Sequence, residues 1–183
     1  GQDFRRYFSN FESTVDKSEG GTTSDELIDS QLGRALDDLD GSLTGDTAFV
    51  MTIGGNDIQA SVTQIWFSLE ISDDKEAADA IAADLEEKIS DNLEDLLSEI
   101  ENSENVTGDS YIYLTNIYDP TDGVGLSQEC YPNLNLVEAL AYLIQINEMY
   151  QEFGMANEIA IVDIYSSFLG HAFHSSDPES PHY

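Results

Sequence analysis

The chain has 183 residues, one domain's worth, with 37 acidic against 6 basic side chains and a net charge of −31. Six scattered cations cannot assemble a basic patch, which argues against nucleic acid and anionic membrane surfaces as partners. A hydrophobic share of 40%, with 9 Tyr and 8 Phe, is enough for a packed core, and no apolar run is long enough for membrane insertion.

The opening GQDFRRYFSN lacks the pattern of a signal peptide, so a soluble chain is expected. Only Lys17, Lys75 and Lys88 are lysines, and carboxylates lie on almost every exposed helical face one can draw. Such a surface suits a saline setting, where salt screens its self-repulsion, and an extracellular or cell-surface place is expected; a merely acidic protein is the alternative. The single cysteine, Cys130, rules out an internal disulfide and a four-cysteine zinc site.

Residues 24–39 put Leu27, Ile28, Gln31, Leu32, Ala35, Leu36 and Leu39 on one stripe at helical spacing, with Ser24 as the expected N-cap. Asp40-Gly41 stops that helix. Residues 47–53 then read as a buried strand, short, continuous and bounded by turn residues. Gly54-Gly55-Asn56-Asp57 follows directly, and residues 58–71 read as a helix. Residues 75–101 carry Ile81, Leu85, Ile89, Leu93, Leu96 and Ile100 at intervals of three or four, which predicts a core-facing helix with an acidic outer side. A second strand is expected over 111–118, a helix over 134–153 with Gly154 as its C-cap, and a third strand over 158–164. The helical stripe of 134–153 is Leu136, Leu140, Leu143, Ile144, Asn147 and Tyr150. Strands joined by long helices imply an α/β fold with parallel pairing.

In an open parallel sheet the working residues sit where strands hand over to helices at their carboxyl ends. Two such places carry chemistry. Gly54-Gly55-Asn56-Asp57 offers a tight turn, close backbone approach and an Asn amide donor. Gly20-Gly21-Thr22-Thr23-Ser24 opens a helix, so its backbone N–H groups can face an anion. One backbone N–H and one Asn amide converging on a point are what a developing oxyanion requires. Each turn alone is an ordinary structural turn; the pair carries the signal.

Gly-Gly-Thr-Thr-Ser-Asp-Glu-Leu, a helix, then Thr-Ile-Gly-Gly-Asn-Asp resembles the second and third conserved blocks of the SGNH (GDSL) hydrolases. Leu114–Asp122 resembles that family's next strand and its exit, and Ala160–Gly170 resembles the strand and loop before its Asp/His block. The resemblance runs over roughly residues 18–182. It implies a three-layer α/β/α sandwich with a parallel sheet, of flavodoxin-like type, and a serine esterase, lipase or carbohydrate deacetylase acting on a small ester or acylated sugar. It assigns Gly21 and Asn56 to the oxyanion hole, leaves Asp57 to tie the turn, and needs no cofactor or metal.

The nucleophile block is not found. Ser9, Ser13 and Ser18 precede Gly21, none in a Gly-Asp-Ser motif and none after an apolar strand. The closing Asp-x-x-His is not found either. Glu179-Ser-Pro-His182 is the sole acid-x-x-His, a variant dyad in which His182 is the base and Glu179 orients it. In the family, however, a segment like Asp177–Tyr183 lies upstream of the true dyad. Residues 1–183 are therefore expected to form a single hydrolase domain without its N-terminal strand and its C-terminal catalytic segment. The rival reading is a non-catalytic acidic scaffold or surface protein built on the same fold.

Other motifs are weaker. His171-x-x-His174 places two imidazoles on one helical face, but a metal site needs more ligands, and loop or core histidines are the better reading. Asp37-Asp38-Leu39-Asp40-Gly41 has Leu43 where a calcium loop needs glycine, so a solvated helix end is expected. Asn105-Val106-Thr107 is a glycosylation sequon of a kind common by chance. Trp66 is expected in the core.

Overall fold

The computed structural model describes residues 14–39, 45–127, 131–175 and 179, with only the backbone described for 126–127 and 131–134. The first helix, α1, runs through Ser24–Glu26, a widened π segment Leu27–Leu32, and Gly33–Leu39. Its N-cap is Thr23, not Ser24. Thr23 and Glu26 form a reciprocal capping box, which satisfies two end N–H groups at once. The expected stop at Asp40-Gly41, together with Leu43, lies outside the described residues.

Strand β1 (Thr47–Met51) leads into α2, which comprises Gly55–Trp66 and a π continuation Phe67–Ile71. This helix begins three residues earlier than its apolar pattern suggests, because the left-handed turn at Gly54 (φ 91°) lets it start at once. The longest helix, α3 (Lys75–Glu101), is capped by the Asp74 carboxylate, which accepts from Ala77 N–H at 3.0 Å. Its buried stripe is Ala78, Ala82, Leu85, Ile89, Leu93, Leu96 and Ile100, with Ile81 at the margin.

Strand β2 (Ser110–Thr115) follows, then a short antiparallel pair, β3 (Leu126–Ser127) with β4 (Tyr131–Asn135). This hairpin corrects the helix expected from residue 134. The helix α4 spans Leu140–Ala156, and Asn135 accepts from Val137 N–H in the turn before it. Gly154 is not its C-cap. A Cβ there would meet Ile161 Cγ1 at 2.5 Å, so the residue is small in order to let the helix close on the sheet. Within the expected stripe, Asn147 and Tyr150 are buried but Ile144 is exposed; Tyr142, Ile146 and Phe153 fill the core instead. Strand β5 (Ala160–Val162) and the one-turn helix α5 (Ile164–Phe168) complete the described chain.

The three strands pair in the order β1-β2-β5, all parallel as the alternation implies. They are shorter than the apolar runs that mark them. Right-handed crossovers between strands laid down in one direction put their helices on one face. Phe49, Met51, Ile112, Leu114 and Ile161 point to that face and join Leu27, Leu32, Leu36, Leu85, Ile89, Leu93, Leu96, Ile100, Ile146 and Tyr150 in one core. The opposite face carries Val50, Tyr111, Tyr113 and Val162, exposed by 58%, 48%, 38% and 43%. Among the described residues β1 pairs on one side alone.

Candidate active site

The two glycine turns meet at the carboxyl end of β1. Asn56, in the first turn of α2, donates its Nδ2 to the carbonyl of Thr22 at 2.8 Å. Gly21, one residue before Thr22, has φ 88°, a left-handed conformation that glycine adopts without strain. A carbonyl acceptor fixes which end of the Asn56 amide faces it, and the same nitrogen keeps a second hydrogen for another acceptor. Thr22 is itself held, with its Oγ1 donating to Glu19 O at 3.1 Å and accepting from Gln31 Nε2 at 2.6 Å.

Asp57 locks the two blocks together. Its buried carboxylate accepts from Ser24 N–H at 2.8 Å and from Ser24 Oγ at 3.0 Å. Lys88 of α3 reaches the same carboxylate at 3.1 Å and Asp25 at 2.6 Å. Asn92 donates to Ser24 Oγ at 2.7 Å and to Asp25 at 2.8 Å. The hydrogen bond from Lys88, then that from Asn92, holds the Asp25 carboxyl below its ordinary range; the bond to Asp25 leads in raising Lys88. Lys88 and Asn92 were missed from sequence. They lie four residues apart on α3, a spacing that puts both on one helix face, but nothing in the sequence shows which turn they meet.

Beneath the turn, Tyr150 Oη donates to Ile53 O at 2.8 Å, and burial followed by the nearby Asp57 pushes its hydroxyl pKa well above the ordinary tyrosine range. A Cβ on Gly54 would collide with that hydroxyl. The turn thus needs glycine for both conformation and space.

Ser18 is on the surface, its Oγ donating to Asp16 at 2.7 Å. Ser9, Ser13, Cys130 and His182 lie outside the described residues, and Glu179 is an exposed turn residue. His171 is exposed and His174 half-buried, and among the described residues no three His, Cys, Asp or Glu side chains group as metal ligands. Asn105 spends its side-chain amide on Leu36 O at 2.9 Å, which leaves the sequon poorly presented for glycosylation. Asp38 at the end of α1 pairs with Lys17 at 2.6 Å, as befits a solvated helix end. Trp66 is half-buried with its indole nitrogen inside.

Among solved structures, the crystal structure of an extracellular lipase from Streptomyces rimosus superposes with a TM-score of 0.54 over 86% of this chain, at 18% identity. The likeness is one of fold, a small parallel sheet with helices packed on it in a hydrolase-like α/β arrangement. The chain spans 64% of that lipase's length. No family model and no curated protein matches the sequence.

Proposed function

We propose that the chain forms the central part of an SGNH-type serine ester hydrolase, in which the Gly21 N–H and the Asn56 amide bind the oxyanion of a tetrahedral intermediate. The bond from Asn56 Nδ2 to Thr22 O carries this reading. It sets the amide nitrogen beside the backbone that follows Gly21, which supports a reading in which the two act as paired donors. Preorganisation comes from the Ser24–Asp57–Lys88 network beneath, so the donors need not reorganise as charge develops. The nucleophile and base belong to segments other than the described ones. Lipid, short acyl and acetylated-sugar esters all fit a hole that contacts only the reacting carbonyl.

In the protein carrying its nucleophile, Asn56→Ala should lower kcat on a short p-nitrophenyl ester by roughly 10²–10³ with the fold retained. Turnover near that of the wild type would remove Asn56 from the mechanism. The surface placement of Ser18 favours the scaffold reading for the chain taken by itself, which then shows no turnover with or without Asn56.

A further inference from the structure

The loops that leave β2 and β5 hold each other through one carboxylate. Asp122 is fully buried and sits in the left-handed region, φ 55°. Its Oδ1 accepts backbone N–H bonds from Gly170 and Ala172, each at 3.0 Å, and its Oδ2 accepts one from His174 at 2.8 Å. Between them, Phe173 N–H reaches Pro120 O at 3.1 Å. Four of the five residues 170–174, just after α5, are thereby pinned to one loop.

The receiving loop is itself built to be stiff. Buried Asp119 accepts from Thr121 N–H at 2.8 Å, Thr121 Oγ1 at 2.7 Å and Gly123 N–H at 2.7 Å. Thr121 Oγ1 then accepts from Gly125 N–H at 2.9 Å. Where the two loops start, Asn116 donates to Asp163 at 2.8 Å and accepts from Tyr165 N–H at 2.9 Å. Both carboxylates of the loop are thus occupied by N–H and O–H donors, which is the work of shaping backbone and not of holding a cation. Thr115 Oγ1 meets Thr52 Oγ1 at 3.1 Å, so these exits share the sheet end that bears the Gly54–Asp57 turn. Two strand spacings put the β5 exit about 10 Å from the β1 exit.

We propose that Asp122 is a positioning residue: its carboxylate fixes residues 170–174 at the sheet end where the two glycine turns meet. The significance of that place rests on the hydrolase reading; the positioning itself does not, and its test reads the backbone.

The experiment compares Asp122→Ala, Asp122→Gly and Asp122→Asn by amide hydrogen exchange and by the histidine ring signals in NMR. Glycine relieves the left-handed backbone without restoring an acceptor, whereas asparagine tolerates that backbone and keeps one acceptor oxygen. Exchange at Gly170, Ala172 and His174 should rise roughly tenfold or more in the Ala and Gly variants, and less in the Asn variant. Leu93 and Leu114 amides should keep their protection, and the His171 and His174 ring signals should move or average. Recovery of protection by Asp122→Gly would reduce the effect to backbone strain and overturn the proposal. So would unchanged exchange at the three amides, or a loss spread over Leu93 and Leu114 in Asp122→Asn. Absence of ester turnover in the wild-type protein carrying its nucleophile would count against the hydrolase reading while leaving the exchange result standing.

Discussion

Asn56 and Thr22, 34 residues apart, are joined by a 2.8 Å bond from a side-chain amide to a backbone carbonyl. One link therefore welds a helix start to a loop that precedes a different helix. Because the acceptor is a carbonyl, the residue at 56 must donate. Asn56→Ala should cost about 0.5–1.5 kcal/mol of stability, the ordinary value of one such bond. Asn56→Asp should cost more, since it sets an acceptor against an acceptor. Urea unfolding of the two variants checks this, and an Asp variant as stable as the Ala variant would show that the link does not hold the turns.

Gly54 and Tyr150 form a second coupled pair. Gly54→Ala meets both a left-handed backbone and the Tyr150 hydroxyl, and a loss of about 1–3 kcal/mol is expected. Tyr150→Phe removes the obstructing oxygen and also its bond to Ile53 O. The double variant should therefore be more stable than the sum of the singles predicts, by about 0.5 kcal/mol or more. Strict additivity in a double-mutant cycle would mean the collision is relieved some other way.

These two pairs show what the sequence could reveal. Glycine turns at a strand's end, and the helical stripe from Leu85 to Ile100, are local patterns, and local patterns are read from neighbours in the chain. The parallel order follows from alternation. By contrast, the Lys88–Asp57 pair and the Asn92–Ser24 bond depend on which faces of two helices meet, and no periodicity encodes that. Gly154 misled for a related reason: a glycine near a helix end fits a cap or a close approach equally well, and only Ile161 across the gap decides. The β3–β4 pair was hidden because Leu126–Ser127 and Tyr131–Asn135 are short and offer neither an apolar run nor a clear alternation.

The Lys88 cluster sets a pH dependence. Asp25 has its carboxyl lowered in the folded state, so its contribution is present above the ordinary carboxylate range and is lost as pH falls through the lowered value. Lys88 is raised, so its contribution is lost only as pH climbs through the raised value. Lys88→Met removes the main cause of the Asp25 shift. The variant's Tm should therefore fall less steeply than the wild type's below about pH 4. Parallel Tm curves over that range would detach Asp25 from acid stability.

The exposed sheet face has a measurable consequence. Val50, Tyr111, Tyr113 and Val162 present adjoining apolar groups on neighbouring strands. A contiguous patch of this kind binds apolar dyes. The 183-residue chain should enhance anilinonaphthalene sulfonate fluorescence in its folded state, and Val50→Lys with Tyr113→Lys should reduce that signal while leaving Tm nearly unchanged. Equal dye binding by the double variant would place the dye elsewhere.

Salt provides the last test. At −31 the chain repels itself, and each Lys and Arg among the described residues is already paired, Lys17 with Asp38, Arg34 with Glu19, Lys75 with Asp79 and Lys88 with Asp25. Screening weakens such surface pairs, each worth about 0–1 kcal/mol, and at the same time relieves the many uncompensated carboxylates. The screening length falls from about 10 Å at 0.1 M to about 3 Å at 1 M, so most of the gain should come below 1 M. With four pairs against so large an excess, relief dominates, and Tm should rise as NaCl is added. Choline chloride at equal ionic strength should do the same, because the effect is screening and not a specific sodium site. A Tm that falls or stays level with both salts would show that the acidic surface carries no net strain, and the saline setting would lose its physical basis.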